Sequence, residues 1–249
     1  MKQVKAILCD FDGTFSTLRC GWESVMKRMM MKYLRDETWI EGFIGETTGV
    51  QTILQMKGFL EELRRRGITV PSDDPWFYKD EYNDMLMESV AVKRDDVLGG
   101  RTSAATYRVP GALLFLQALK TRGVRVYFAS GTDEIDVRAE AKALGFAGFA
   151  DGIAGALPRS EACAKEAALK RLVEQAGVAS DELAVIGDGK VEIRLGREAG
   201  ARTIGLASDE DRLRGVDPVK RTRLIKAGAD AICGDFLEQA ELLRFLGLN

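Results

Sequence analysis

The feature that most constrains this chain is the run Ala6-Ile7-Leu8-Cys9-Asp10-Phe11-Asp12-Gly13-Thr14, where an apolar segment breaks into two acids, a glycine and a threonine. Val4 to Cys9 is apolar nearly throughout and is bounded by a turn signal, the pattern of a strand inside a parallel sheet. Asp10 then sits at the strand's carboxyl end, facing the crevice where open α/β sheets bind ligands. Asp12 follows two residues on, and Gly13 permits the sharp exit that lets both acids address one small volume. The competing explanation is a plain Asx-rich turn, since Asp and Gly are common turn residues. An EF-hand calcium loop is excluded, because it needs glycine at its sixth position and glutamate at its twelfth, where this chain has Phe15 and Gly21.

What the chain lacks narrows the chemistry further. It contains no histidine, which removes a Ser-His-Asp or Cys-His nucleophile, a His-ligated zinc and a histidine proton shuttle. Acid and base work then falls mainly to carboxylate, lysine, tyrosine or cysteine, and hard carboxylate sites favour magnesium over zinc. Cysteines at 9, 20, 163 and 233 show no C-x-x-C spacing, which disfavours a structural zinc or a disulfide framework and fits a reducing cytoplasm. Cys9, inside the first strand, reads as a small buried apolar group.

With 36 basic against 38 acidic side chains, the chain has no strong field to recruit nucleic acid or an anionic membrane. No segment approaches the run of about 18 apolar residues that a membrane span needs. The first strand begins so early that a signal peptide has no room. At 249 residues and 46% hydrophobic, the chain is long enough for a large core with a smaller insert. Arg64-Arg65-Arg66 reads as a solvated helix C-terminus before Gly67.

Past Thr14 the periodicity becomes helical. Trp22, Val25, Met26, Met29, Met30, Tyr33 and Leu34 recur on one helical face, with the methionines as adaptable packing. A second helix is predicted from Val50 to Arg66, after a loop at Gly45-Glu46-Thr47-Thr48-Gly49, and a third over Tyr78 to Val92. From Val109 strands and helices alternate. Strands are predicted at Val124–Ala129, Gly152–Ala154, Leu183–Ile186, Arg202–Leu206 and Asp230–Cys233, with helices at Pro110–Lys120, Asp133–Leu144 and Glu161–Gln175. Residues 1–16 and 106–249 therefore read as an α/β core, a Rossmann-like parallel sheet with helices on both faces. Residues 17–105 read as an inserted all-helical domain.

In such a sheet the strand ends converge on one edge, bringing together Asp10 and Asp12, Ser130 and Thr132, and Asp188. Asp10 and Asp188 suit a hard divalent cation, while a hydroxyl and backbone amides suit an anion. A phosphate dianion fits, because a carboxylate can attack its phosphorus while a cation and amides neutralise its oxygens. Lys165 and Lys170, both on the helix after Arg159, are the candidates for a positive charge on the phosphate.

These residues, in this order, resemble the haloacid dehalogenase (HAD) superfamily along the whole chain. Asp10-Phe11-Asp12-Gly13-Thr14 is similar to its first motif and Ser130 to its second. Lys165, nearest the start of its helix, is similar to the third, and Gly187-Asp188 with Glu192 to the fourth. The helical insert is similar to the cap of the family's first cap class. Glu192 stands where aspartate is commoner, so its longer arm ligates metal either directly or through water.

The resemblance implies that Asp10 attacks phosphorus and that Asp12 protonates the leaving oxygen and later helps water attack the phosphoaspartate. It implies Mg2+ held by Asp10, the Asp12 carbonyl and Asp188, and phosphoryl oxygens held by Ser130 and Lys165 with amides near Gly13 and Gly131. Thr14, Gly131 and Thr132 complete the expected phosphate pocket. Arg19, Trp22, Gln51 and Thr52 are the expected cap contacts, although Trp22 and Thr52 equally suit a core and a helix-start role. Family dehalogenases lack the second acid, so Asp12 argues for phosphate.

The expected function is a Mg2+-dependent phosphatase acting on a small phosphorylated metabolite, such as a sugar or cyclitol phosphate, as a monomer or homodimer in the cytoplasm. The enzymatic rival is a phosphosugar mutase of β-phosphoglucomutase type, which returns the phosphate to the sugar. A phospho-acceptor signalling module is the rival from another class, but such a domain is shorter and has neither the insert nor Asp12.

Overall fold

The computed structural model of the protein describes residues 2–176 and 178–248. The strands are β1 (Ala6–Cys9), β2 (Arg125–Asp133), β3 (Gly152–Ala156), β4 (Leu183–Gly187), β5 (Arg202–Leu206) and β6 (Ala231–Cys233). They form one parallel sheet in the order β3-β2-β1-β4-β5-β6. From β1 the chain builds outward first on one side and then on the other, so the loops after β1 and β4 diverge and leave a crevice between them.

Side chains alternate across β1. Ile7 and Cys9 pack with Phe115, Leu116 and Leu119 of helix α5 (Ala112–Thr121), Val137 and Ala141 of α6 (Glu134–Ala143) and Leu242 of α10 (Gln239–Phe245). Ala6 and Leu8 face the opposite layer, with Ala168 and Leu169 of α7 (Ala164–Ala176). Two further helices, α8 (Lys190–Glu198) and α9 (Pro218–Ala227), bury Ile193 and Leu224 against Ala207. Helices thus cover both faces, which is why every residue of β1 is buried and its sequence does not alternate.

Between β1 and α5 lie α1 (Trp22–Met30), α2 (Glu37–Thr47), α3 (Thr52–Arg65) and α4 (Pro75–Leu98). Met26, Met29, Phe59, Tyr78 and Leu86 belong to an apolar cluster separate from those of the sheet. Helix α2 has no counterpart in the sequence reading. The Asp36 carboxylate accepts from the Trp39 amide at 3.1 Å and starts this helix, after α1 has ended before Tyr33 and Leu34. The stretch read as a loop from Gly45 is helical as far as Thr47. The Thr47 and Thr48 hydroxyls donate to the Phe43 and Ile44 carbonyls at 2.7 and 2.9 Å, satisfying groups at the helix end.

Strand β2 also runs further than predicted, through Ser130-Gly131-Thr132 to Asp133, with its pairing to β3 irregular between Ala129 and Asp133. No helix among the described residues is long and apolar enough to cross a membrane.

Candidate active site

Asp10 directly follows β1, and its amide donates to the Ile186 carbonyl at 2.8 Å, so its position is fixed by one more rung of the sheet ladder. Phe11 is fully buried, edge-on to Phe128 and Phe146 with ring centres 5.6 and 6.2 Å away. This apolar anchor sits between the two acids and holds the loop down while Asp10 and Asp12 line the crevice. At Gly13 φ is 72°, and a Cβ there would collide with the Asp188 carboxylate. Only glycine lets the β1 and β4 loops approach this closely.

Lys165 lies in the first turn of α7, where a cation opposes the helix dipole. Its Nζ is 2.8 Å from Asp10 Oδ1 and donates to Glu192 Oε2 at 2.9 Å, and all three side chains are buried. Glu192 Oε1 accepts from the Gly189 amide at 2.5 Å, so this glutamate is anchored at both oxygens. Burial pushes the Asp10 carboxyl well above its usual range; Lys165 opposes that push, while Glu192 and Asp188 add to it. Burial also works against the Lys165 ammonium, but Asp10 and Glu192 outweigh it and raise its pKa. Lys170, the alternative cation, is exposed.

Asp12 Oδ2 accepts from the Ser130 hydroxyl at 2.8 Å and the Thr132 hydroxyl at 2.9 Å. Both hydroxyls were expected on substrate oxygens; here they orient the second acid, because the irregular end of β2 carries them over it. Asp12 Oδ1 is buried without a hydrogen bond, 3.7 Å from Arg19 Nε. Arg19 itself is committed to Glu140 of α6, with Nη2 to Oε1 at 2.6 Å and Nε to Oε1 at 3.1 Å. Burial lifts the Glu140 carboxyl to about 7, with Arg19 opposing.

Asp188 is gripped from its other side. Lys220 Nζ lies 2.8 Å from Asp188 Oδ2, pairs with Glu210 and donates to Ser208 Oγ at 3.1 Å; Ser208 in turn donates to the Gly13 carbonyl at 2.5 Å. Burial works against the Asp188 carboxylate, but Lys220, joined by Arg223 and Lys165, more than compensates and holds its pKa below the usual range. Sequence reasoning did not find Ser208, Glu210 or Lys220. The available signal was Lys220 in the first turn of α9, again a cation at the wrong end of a helix dipole.

Above these groups a cavity opens between sheet edge and insert. Of the expected cap contacts, Arg19, Trp22 and Thr52 line it, as do Ser130, Gly131 and Thr132. Gln51 does not: it is buried, donating from Nε2 to the Ser160 carbonyl at 3.2 Å. Thr14 is also fully buried, its hydroxyl 3.5 Å from Asp10 Oδ2 and 3.4 Å from Asp188 Oδ1, tying the two carboxylates rather than facing the cavity. Gln55, Lys79, Tyr82, Asn83 and Asp136 line the cavity without having been singled out in the sequence.

Carboxylate oxygens of Asp10, Asp188 and Glu192 lie within 4.8 Å of one another. An all-oxygen, anionic donor set in a chain without histidine fits a hard divalent cation such as Mg2+ and does not fit the usual zinc ligation.

The family model described as haloacid dehalogenase-like hydrolase matches residues 4–200. A curated phosphoglycolate phosphatase from Rhodospirillum rubrum is 24% identical over 244 residues, covering 97% of this chain and 91% of the relative. Among solved structures, a β-phosphoglucomutase from Clostridium difficile superposes with a TM-score of 0.71 at 14% identity, covering 98% of this chain and 97% of the other. A hydrolase from Pseudomonas syringae gives 0.66 at 18% identity, covering 98% of each. The chain belongs to the haloacid dehalogenase-like hydrolases.

Proposed function

We propose that the protein is a Mg2+-dependent phosphatase that hydrolyses the phosphate monoester of a small metabolite, a sugar or cyclitol phosphate, through an aspartyl-phosphate on Asp10. The observation that carries this reading is the pairing of two differently held acids on one loop. Asp10 is bound by Lys165 at 2.8 Å, and Asp12, two residues on, by the Ser130 and Thr132 hydroxyls.

Asp10 attacks phosphorus in line, and Lys165 moves from its carboxylate pairing to the phosphoryl oxygens as negative charge shifts onto them. Asp12, oriented by Ser130 and Thr132, gives its proton to the leaving oxygen and then withdraws one from the water that cleaves the acyl phosphate. Asp10, Asp188 and Glu192, the last directly or through water, would hold Mg2+ with the Asp12 main-chain carbonyl, and Glu192 would also fix Lys165 and the loop from Gly187. When bound, the ion supplies charge that offsets repulsion between the Asp10 carboxylate and a dianionic phosphate. The insert at 17–105 acts as a cap over the core formed by 1–16 and 106–249, excluding bulk water during transfer.

The mutase reading shares Asp10, Asp12 and the insert, and the β-phosphoglucomutase neighbour favours keeping it in view. One experiment serves both. A panel of sugar, cyclitol and short-chain phosphates, phosphoglycolate included, is incubated with Mg2+ and scored for free phosphate and for isomerised ester. Free phosphate lost on chelation and in Asp10→Asn supports the phosphatase, isomer without phosphate supports the mutase, and neither product rejects both.

A further inference from the structure

The cavity wall facing the catalytic acids carries a charge pattern that bears on what the leaving group can be. Among the described lining residues of the whole cavity, Asp10, Asp12 and Asp188 included, there are six acids and three bases. Each of the three bases is already paired. Lys165 serves Asp10 and Glu192, and Arg19 is held by Glu140. Lys79, on α4 of the insert, is buried and donates to both oxygens of Asp133 at 2.6 and 2.9 Å. A second anion on the substrate would have to compete with these carboxylates for the described lining cations.

The amides on the same wall are oriented the same way. Asn83 donates from Nδ2 to Asp133 Oδ2 at 2.9 Å, and a carboxylate can only accept. Gln55 donates from Nε2 to the Thr47 carbonyl at 3.2 Å and to its hydroxyl at 3.1 Å. The carbonyl partner again fixes which end of the amide is which. Each amide therefore keeps its oxygen for a ligand, and these oxygens join the carboxylates of Asp133 and Asp136 as acceptors, on a wall to which Trp22, Thr52 and Tyr82 bring donors.

We infer that the site selects phosphate esters whose leaving group is uncharged and rich in hydroxyl donors, and turns away esters whose leaving group carries a carboxylate. This rests on the phosphatase reading above and sharpens it. Hydroxyls donate to the oxygens of Asn83 and Gln55, whereas a carboxylate would lie beside the like charges of Asp133 and Asp136 and compete with carboxylates for cations they already hold.

Glycerol 3-phosphate and 3-phosphoglycerate share a carbon skeleton and differ only in a hydroxymethyl group against a carboxylate, so they make a matched pair. Each is titrated as a competitive inhibitor of p-nitrophenyl phosphate hydrolysis at fixed Mg2+ and ionic strength. The expected result is a glycerol 3-phosphate inhibition constant at least about tenfold lower, a modest difference for a site that offers hydrogen-bond acceptors to substrate hydroxyls. Asp133→Asn, which removes one anion and loosens Lys79, is expected to narrow that ratio at least about threefold in favour of the carboxylate compound.

Equal constants, or tighter binding of 3-phosphoglycerate to the wild-type protein, overturn the inference whether or not the variant folds. Absence of any p-nitrophenyl phosphate hydrolysis that depends on Asp10 points instead to failure of the phosphatase reading, so the two failures are distinct.

Discussion

Arg19 and Glu140 form a buried ion pair across the junction of insert and core: Nη2 donates to Oε1 at 2.6 Å, and the glutamate has no exposed surface. Arg19 lies just before α1, at the start of the insert, while Glu140 is on core helix α6. The same guanidinium reaches within 3.7 Å of Asp12 Oδ1 and of Asp136 Oδ2. One cation thus fixes the entry to the insert and lies beside the oxygen of the second acid that has no hydrogen bond.

Arg19→Gln is expected to cost about 3–5 kcal/mol, the usual penalty for leaving one partner of a buried pair uncompensated. Chemical denaturation measures it, and Arg19→Lys should recover part of the loss. A cost below about 1 kcal/mol, the range of exposed pairs, would mean the pair is not buried in solution.

Glu140 sets a pH dependence of known sign. Burial raises its carboxyl from 4.5 to about 7, with Arg19 opposing, so the folded state binds the extra proton between those values. The contribution is full below the unfolded pKa and is lost as pH rises through the folded one. At about 1.36 kcal/mol per pH unit the loss is on the order of 3 kcal/mol. Wild type compared with Glu140→Gln by thermal melting should therefore show the wild-type advantage shrinking from pH 5 to pH 8. An advantage that grows over that range would reverse the assignment.

Much of the site is legible in the sequence because it sits at strand ends. Asp10, Asp12 and Asp188 each follow an apolar run, and a parallel sheet sends such residues to one edge. Lys165 is legible through its place at the head of a helix. The partners are harder to read because they arrive by tertiary packing. Glu140 sits on the same stripe as Val137, Ala141 and Leu144, a charge on an apolar face that the helical period exposes only in hindsight. Helix α2 was missed because Gly42, Gly45 and two threonines weaken its propensity, while the Asp36 cap and burial of Ile40 and Ile44 hold it together. Lys220 and Glu210 lie beyond β5 and reach Asp188 only through the loop that places Ser208 on Gly13.

Mg2+ should stabilise the protein by relieving repulsion among Asp10, Asp188 and Glu192. At about 100 times its dissociation constant a single bound ion contributes about 2.7 kcal/mol. Differential scanning fluorimetry with and without chelator checks this independently of turnover. Asp188→Asn should abolish most of the shift, and an unchanged shift would remove Asp188 from the ligand set.

Asp12→Ala should divide substrates by leaving group. Alkyl phosphates, whose alkoxide needs a proton, should slow by about 100-fold or more, and p-nitrophenyl phosphate by much less. Steady-state kcat/KM on both classes tests it. Equal losses would assign Asp12 to positioning rather than to proton transfer.

The most direct measurement is acid quench of the enzyme during turnover of a labelled phosphate ester, followed by peptide mapping. The phosphoryl group is expected on the peptide containing Asp10 and to be absent from Asp10→Asn. Label on any other residue, or undiminished turnover in Asp10→Asn, would contradict nucleophilic attack by Asp10.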